Sequence, residues 1–281
     1  MNITLNAYKL QAMFMKKRYT IFLLMTLLIV SCATSPTGRR QLMIVSEDTA
    51  IAASKQAYTD MLKPYEEEGK IDNDPVLKGR VYRITGLLIA QAIKMRPETK
   101  DWSWSIKIIN DPETVNAWAM AGGKMALYSG LVEKLNATDD ELAQVLGHEI
   151  AHALAKHSAE KMSVYMASSI GVAAVGVAAD NKGLALTGAV LAATLAVQKP
   201  NSRTAESEAD QIGIELAAKA GYDPRASITL WQKMANVGGK RPPEFFSTHP
   251  SPEKREKTLG ALVPKMMPYY QQKGERPFYK L

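Results

Sequence analysis

The stretch Thr138-Asp139-Asp140-Glu141-Leu142-Ala143-Gln144-Val145-Leu146-Gly147-His148-Glu149-Ile150-Ala151-His152 has the pattern of a helix with chemistry at its far end. Thr138 is placed to cap it with Glu141 as the reciprocal partner, and Asp139 and Asp140 suit the positive end of the helix dipole. Leu142, Val145, Leu146, Ile150 and Leu154 recur near helical spacing, which predicts one buried face. His148 and His152 then stand one turn apart on the same side, where two imidazole nitrogens can meet one zinc ion at about 2.0–2.1 Å. Glu149 is offset by about 100° on a helix of 3.6 residues per turn, so it flanks the metal without needing to ligate it. A carboxylate there can take a proton from a water whose acidity the metal raises. The chain has 4 histidines, His148, His152, His157 and His249, and half of them sit in this motif.

Two histidines leave a catalytic zinc one protein ligand short. His157 lies half a turn away from His148 if the helix continues, so it is expected to face elsewhere. A carboxylate is the natural third ligand. Ser202-Arg203-Thr204-Ala205-Glu206-Ser207-Glu208-Ala209-Asp210 reads as the start of another helix with Glu206 and Asp210 on one face. Glu206 can bind zinc, and Asp210 can accept a hydrogen bond from a ligand histidine's other nitrogen and fix its tautomer. Spacing alone does not choose between Glu206 and Glu208.

Upstream of the motif the period changes. Trp102, Trp104, Ile106 and Ile108 alternate with Ser103, Ser105 and Lys107, which predicts a half-buried strand. Asn116–Met120 and Lys124–Tyr128 are expected as a second pair of strands around Gly122-Gly123. Either this is an ordinary hairpin under the metal helix, or an edge strand here pairs with an extended peptide and holds it at the metal. Further back, Asp74-Pro75 starts a helix that ends before Pro97, and Ser46 caps one running to about Leu62 ahead of Pro64. Between the motif and Ser202, Val164–Val197 is rich in Ala, Gly, Val and Leu and is divided by Asp180-Asn181-Lys182-Gly183. A tightly packed helical hairpin is expected there, with membrane-surface contact as the alternative. The basic stretch from Lys254 is expected to be a solvated helix face.

At the amino end, Met15-Lys16-Lys17-Arg18 precedes the apolar run Ile21–Val30, too short for a span of about 20 residues. With Ser31-Cys32 following, this is the layout of a secretion signal. Its four basic residues (Lys9, Lys16, Lys17, Arg18) come without acids, so the formal charge of +7 falls to +3 once residues 1–31 are set aside. That charge argues against a nucleic-acid partner. Cys32 is the single cysteine of the 281 residues, which excludes an internal disulfide and a cysteine-ligated metal. Polar residues 33–42, with Pro36 and Gly38, read as a tether. The resulting division is a signal peptide over 1–31, starting at Met15 on this reading, an anchored tether over 32–45, and a metal-binding domain over 46–281.

The joint pattern resembles the zinc metallopeptidase family of the CAAX prenyl proteases, HtpX and the BepA-like periplasmic proteases (peptidase family M48). That family pairs His-Glu-x-x-His with a downstream Ser-Arg-x-x-Glu-x-x-Ala-Asp, matched here by Ser202, Arg203, Glu206, Ala209 and Asp210. Asn116–Gly123, Ser247-Thr248-His249-Pro250 and Thr37–Leu42 also look like family features, and Ile29-Val30-Ser31-Cys32 resembles a bacterial lipobox. The resemblance implies one zinc per chain held by His148, His152 and Glu206, with Glu149 as base and Asp210 orienting a ligand histidine. It implies substrate contacts at Asn116, Gly122 and Gly123, and lipidation of Cys32. It also implies a His249 that occupies the open zinc position and keeps the enzyme latent, where it could instead stabilise an oxyanion or simply pack. The implied fold is α+β, mainly α: a zincin-like (gluzincin) domain with a small antiparallel sheet beside the active-site helix. The implied setting is a short, single-domain lipoprotein of the cell envelope, facing the periplasm, with the outer membrane preferred. Its substrates would be unfolded or misassembled envelope proteins, and the rival reading is a zinc-containing chaperone or binding lipoprotein.

Overall fold

In the computed structural model the described residues are 15, 32–175, 201–237, 245–249 and 255–281. Apart from Met15, the expected signal segment lies outside them, as does the apolar stretch beyond Val175. Among the described residues no helix is long and apolar enough to cross a membrane.

The chain opens with a short antiparallel hairpin, β1 (Cys32–Thr34) and β2 (Arg40–Leu42), and continues through helices α1 (Glu47–Glu67) and α2 (Pro75–Met95). A mixed sheet follows, made of β3 (Ser105–Ile109), β4 (Ala117–Met120) and β5 (Lys124–Tyr128). Next come α3 (Ser129–Leu135), the motif helix α4 (Asp139–Leu154), α5 (His157–Val175) and α6 (Arg203–Lys219). The chain closes with α7 (Ala226–Val237), the short α8 (Phe245–Thr248) and α9 (Arg255–Tyr270).

Local chemistry explains most starts and stops. Asp74 accepts from the backbone of Val76 and Leu77, and Pro75 occupies the first helical position, where its missing N–H costs nothing. Thr138 and Glu141 form the full capping box expected of the motif helix. The expected stop of α1 at Pro64 does not occur, because the helix passes through Pro64 and ends at Glu67. A proline that near the end removes one hydrogen bond, and the following turn closes through Glu68 N–H to the Pro64 carbonyl.

The sheet order is β3-β5-β4, with β4 antiparallel to β5 and β3 parallel to it. The expected antiparallel pairing therefore holds for the β4–β5 hairpin, while β3 adds on the far side in parallel. The chain between β3 and β4 crosses the sheet, so β3 and β4 do not pair. β4 is left as an edge strand, packed against the motif helix.

Every residue of α4 from Glu141 to Leu154 is buried, rather than one face only. Helices α2, α6 and α7 and strand β4 surround it. A helix covered on all sides is a central element, and each fully buried side chain such as Leu142, Leu146 or Ile150 contributes about 1.5–3 kcal/mol. Against α6 the approach is backbone to backbone. A Cβ built on Gly147 would lie 2.8 Å from the Gly213 carbonyl oxygen, and one built on Gly213 would lie 2.8 Å from the His148 nitrogen.

The polar stretch 33–42 is folded rather than a free tether. Gly38, at φ +87°, lets the chain reverse between β1 and β2, and Arg39 and Gln41 bond to Glu160 at the start of α5.

Candidate metal and catalytic site

Two helices supply the centre. The capping box and apolar burial fix α4, and its second half presents His148 and His152. Ser202 caps α6 by accepting from Ala205 N–H, and the Gly147–Gly213 contact draws the first turns of α6 against them. His148 Nε2 and His152 Nε2 are 3.0 Å apart, and the two oxygens of Glu206 lie 3.4 Å and 3.3 Å from them. One ligand atom from each of His148, His152, Glu206 and His249 falls within a 4.8 Å cluster, and all four residues are buried. The choice that spacing left open is thus made by packing: Glu206 faces the histidines, while Glu208 turns to His157 and the N-terminal hairpin.

A metal fits this cluster. Glu206 Oε1 and Glu149 Oε1 are buried with no hydrogen-bond partner among the described residues, and an orphaned buried carboxylate oxygen is costly unless a cation or donor meets it. Two imidazoles and a carboxylate with a position left over is a donor set suited to catalytic zinc.

The electrostatics follow from burial and charge. Burial and the Arg255 charge push His148 down, but its hydrogen bonds to Asp210 and Glu206 outweigh them and carry it to about 9. Burial pulls His152 down to about 3. Glu206 is disfavoured as an anion by burial, yet the two histidines hold it far below the usual carboxylate range. Burial pushes Glu149 up to about 8, against a backbone hydrogen bond from Ala119 on the edge strand. His249 is held well below its ordinary value by burial.

Asp210 lies where expected, its Oδ1 3.1 Å from His148 Nδ1. His249 stacks on Phe245 at 4.2 Å and directs Nε2 to within 3.4 Å of Glu149 Oε1, while its Nδ1 lies 3.3 Å from the Phe245 carbonyl. Asn116, Gly122 and Gly123 flank β4. Asn116 is buried and accepts from Ala117 N–H. Gly122 and Gly123 have positive φ, and side chains there would strike Ile51 and Trp104. Cys32 opens β1.

Two expectations are corrected. His157 does not face away: Lys156, at φ +58°, breaks the helix after Leu154, and the new helix α5 returns His157 Nδ1 to 2.7 Å from His152 Nδ1. The stretch from Lys254 is not simply a solvated face, because Arg255 is buried in the site. Its guanidinium stacks 3.7 Å over the Trp231 ring, bonds Glu206 at 3.2 Å and pairs with Asp210. Its Nη2 is also 3.0 Å from His148 Nδ1. Were His148 Nε2 to hold a metal, its Nδ1 would carry the proton, and both nitrogens would donate to Asp210. Sequence reasoning missed Arg255 because nothing local separates a buried arginine at a helix start from the exposed ones beside it.

The description "Peptidase family M48" matches residues 78–263 of this chain. The chain belongs to peptidase family M48. Similar curated proteins include the mitochondrial metalloendopeptidase OMA1 of Bos taurus, 31% identical over 247 residues, covering 82% of this chain and 46% of the relative. The mitochondrial metalloendopeptidase OMA1 of Schizosaccharomyces pombe is 33% identical over 233 residues, covering 81% of this chain and 65% of the relative. The putative beta-barrel assembly-enhancing protease of Vibrio cholerae is 33% identical over 208 residues, covering 71% and 41%. The chain spans less than two thirds of the length of each of these relatives. The metallopeptidases of this family use zinc, and the buried His148, His152, Glu206 and His249 group is able to hold a metal ion.

Proposed function

We propose that this chain is a zinc-dependent endopeptidase of the bacterial cell envelope, acting in protein quality control. The observation that carries the reading is the convergence of His148, His152 and Glu206 beside a buried Glu149 whose Oε1 makes no hydrogen bond among the described residues. His148, His152 and Glu206 hold the zinc, one ion per chain, and bound zinc supplies Lewis acidity for water and for the scissile carbonyl. Glu149 takes the proton of the attacking water and later hands it to the leaving amine. Burial disfavours its charge, and the positive charge of bound zinc would favour the carboxylate form that accepts the proton. Asp210 accepts from His148 Nδ1–H and so keeps Nε2 turned to the metal.

The edge strand β4 lies beside Glu149 and leaves one row of backbone groups without a strand partner among the described residues. An extended peptide added along it would lie across the metal. Asn116, Gly122 and Gly123 serve substrate binding by shaping the ends of that strand. The substrates are unfolded or misassembled envelope proteins, a reading supported by the name of the Vibrio cholerae relative. Residues 1–31 are a lipoprotein signal peptide. Lipidated Cys32 anchors the protein to the membrane facing the periplasm, preferably at the outer membrane, with residues 46–281 as the protease domain.

One observation supports a latent resting state. His249 belongs to the same cluster as the three ligands, and a donor hydrogen on Nδ1 toward Phe245 would leave a lone pair on Nε2, the nitrogen 3.4 Å from Glu149 Oε1. In that state the protein acts as a zinc-containing binding or chaperone lipoprotein.

The test is cleavage of an unfolded protein by zinc-loaded wild type, Glu149→Gln and His249→Ala. Cleavage by wild type that disappears in Glu149→Gln establishes the peptidase and its base. Silence in wild type with cleavage by His249→Ala establishes latency. Silence in all three overturns the peptidase in favour of the binding module.

A further inference from the structure

Beyond the metal ligands, a line of buried polar contacts runs from His152 to the N-terminal hairpin. His152 Nδ1 is 2.7 Å from His157 Nδ1, and His157 Nε2 is 3.1 Å from Glu208 Oε2. Glu208 is then met by three groups of the hairpin: Arg39 Nε at 2.7 Å, and the hydroxyls of Ser35 and Thr37. Arg39 is itself locked by a two-pronged bond to Glu160, at 2.7 Å and 2.6 Å, and Gln41 donates to the same carboxylate and to the Ala155 carbonyl. Ser35, Gln41, His157 and Glu208 are all buried.

The direction of this chain of hydrogen bonds is forced by the metal. With His152 Nε2 turned into the ligand cluster, its proton resides on Nδ1. His152 Nδ1–H therefore donates to His157 Nδ1, which must present a lone pair. His157 then carries its proton on Nε2 and donates it to Glu208. Glu208 can accept only as a carboxylate, and the guanidinium and two hydroxyls of the hairpin supply the donors that keep it one despite its burial. Each group is committed to a single role, and the last three are supplied by residues more than 110 positions before the nearest of the others.

We propose that the β1–β2 hairpin is a strap that sets the metal site, with Arg39, Glu208 and His157 as positioning residues that hold His152 in the tautomer and orientation a metal requires. The two histidine ligands are then supported independently. Asp210 supports His148 from within α6, and the hairpin supports His152 through Glu208 and His157. The proposal rests on the reading of His152 as a zinc ligand. Loss of such an outer partner lowers metal affinity about 10- to 100-fold in comparable sites.

The experiment uses the full chain with zinc and a competing chelating dye, together with imidazole nitrogen NMR of the zinc-loaded wild type. Zinc binding is expected to weaken by about 10- to 100-fold in Arg39→Ala, Glu208→Gln and His157→Ala. His157→Gln, whose amide offers both an acceptor and a donor, is expected to recover part of that loss. Arg80→Ala is the control: it removes a comparable ion pair, to Asp139 at the other end of α4, and is expected to leave zinc affinity at the wild-type value. The NMR signature is a proton on Nδ1 of His152 and on Nε2 of His157, readable even if a variant fails to fold. Wild-type zinc affinity in the three strap variants, or a proton on Nδ1 of His157, overturns the strap while leaving the zinc site intact. Failure of the wild type to bind one zinc per chain overturns both the strap and the peptidase reading.

Discussion

Gly147 and Gly213 touch backbone to backbone across the α4–α6 contact, each occupying the space that a side chain on the other would need. That contact sets the depth at which Glu206 meets His148 and His152. In Gly213→Ala the added methyl meets the His148 backbone at 2.8 Å, and neither helix backbone can yield cheaply. Overpacking of this kind typically costs ~1–3 kcal/mol. We expect a Tm fall of roughly 2–4 °C per kcal/mol for a chain of this size, with weakened zinc binding, because the separation moves ligands on one helix from ligands on the other. Calorimetry and dye competition check it. A full-affinity, full-stability Gly213→Ala would show that the contact is not tight.

Zinc removal is expected to lower stability by mass action. At a free concentration about 100 times its Kd, an ion that binds only the folded state adds ~2.7 kcal/mol. Thermal scans with and without a chelator should show this shift in the wild type and in Glu149→Gln, and its loss in His148→Ala and Glu206→Gln. Hydrolysis should fall by roughly 10²–10⁴ in Glu149→Gln, the usual contribution of a general base. A zinc shift that disappears in Glu149→Gln would make that residue a ligand rather than a base.

Arg255 pairs with Glu206 and Asp210 in a buried setting. Arg255→Met leaves both carboxylates without that partner, and breaking a buried pair costs about 3–5 kcal/mol. The lost positive charge also stops opposing the incoming cation. The zinc-free variant should therefore melt lower than zinc-free wild type, while its zinc-induced rise should be larger. Thermal scans at matched zinc excess decide this, and equal rises would mean that Arg255 exerts no field at the metal.

Glu141 gives a pH dependence. Burial raises its pKa, but Lys233, the Thr138 N–H and the Thr229 hydroxyl outweigh it and lower the value in the folded protein. A carboxyl lowered on folding contributes stability above its unfolded pKa of about 4.3, and that contribution is lost as pH falls through the folded value. Glu141→Gln should therefore be less stable than wild type in urea at pH 7, with the gap narrowing at pH 3. A gap of the same size at both pH values would assign the loss to shape rather than charge.

The sequence by itself determined whatever depends on neighbours within a turn or two. The capping box at Thr138 and Glu141, the one-turn spacing of His148 and His152, the Asp74-Pro75 helix start and the β4–β5 hairpin are all local, because helical and strand periodicity act over a few residues. Tertiary structure decided what depends on how elements meet. Glu206 rather than Glu208 faces the histidines because two glycines let α6 approach α4 at one register. His157 returns to the site because Lys156 takes a left-handed turn that periodicity does not show. β3 joins the sheet in parallel because the connection to β4 crosses over it. Arg255 and the 33–42 hairpin reach the centre from opposite ends of the chain, and their polar residues look like solvated surface until the buried carboxylates they pair with are in place. Local patterns report the conformational preferences of a segment, whereas partners far apart in sequence are chosen only when the whole core packs.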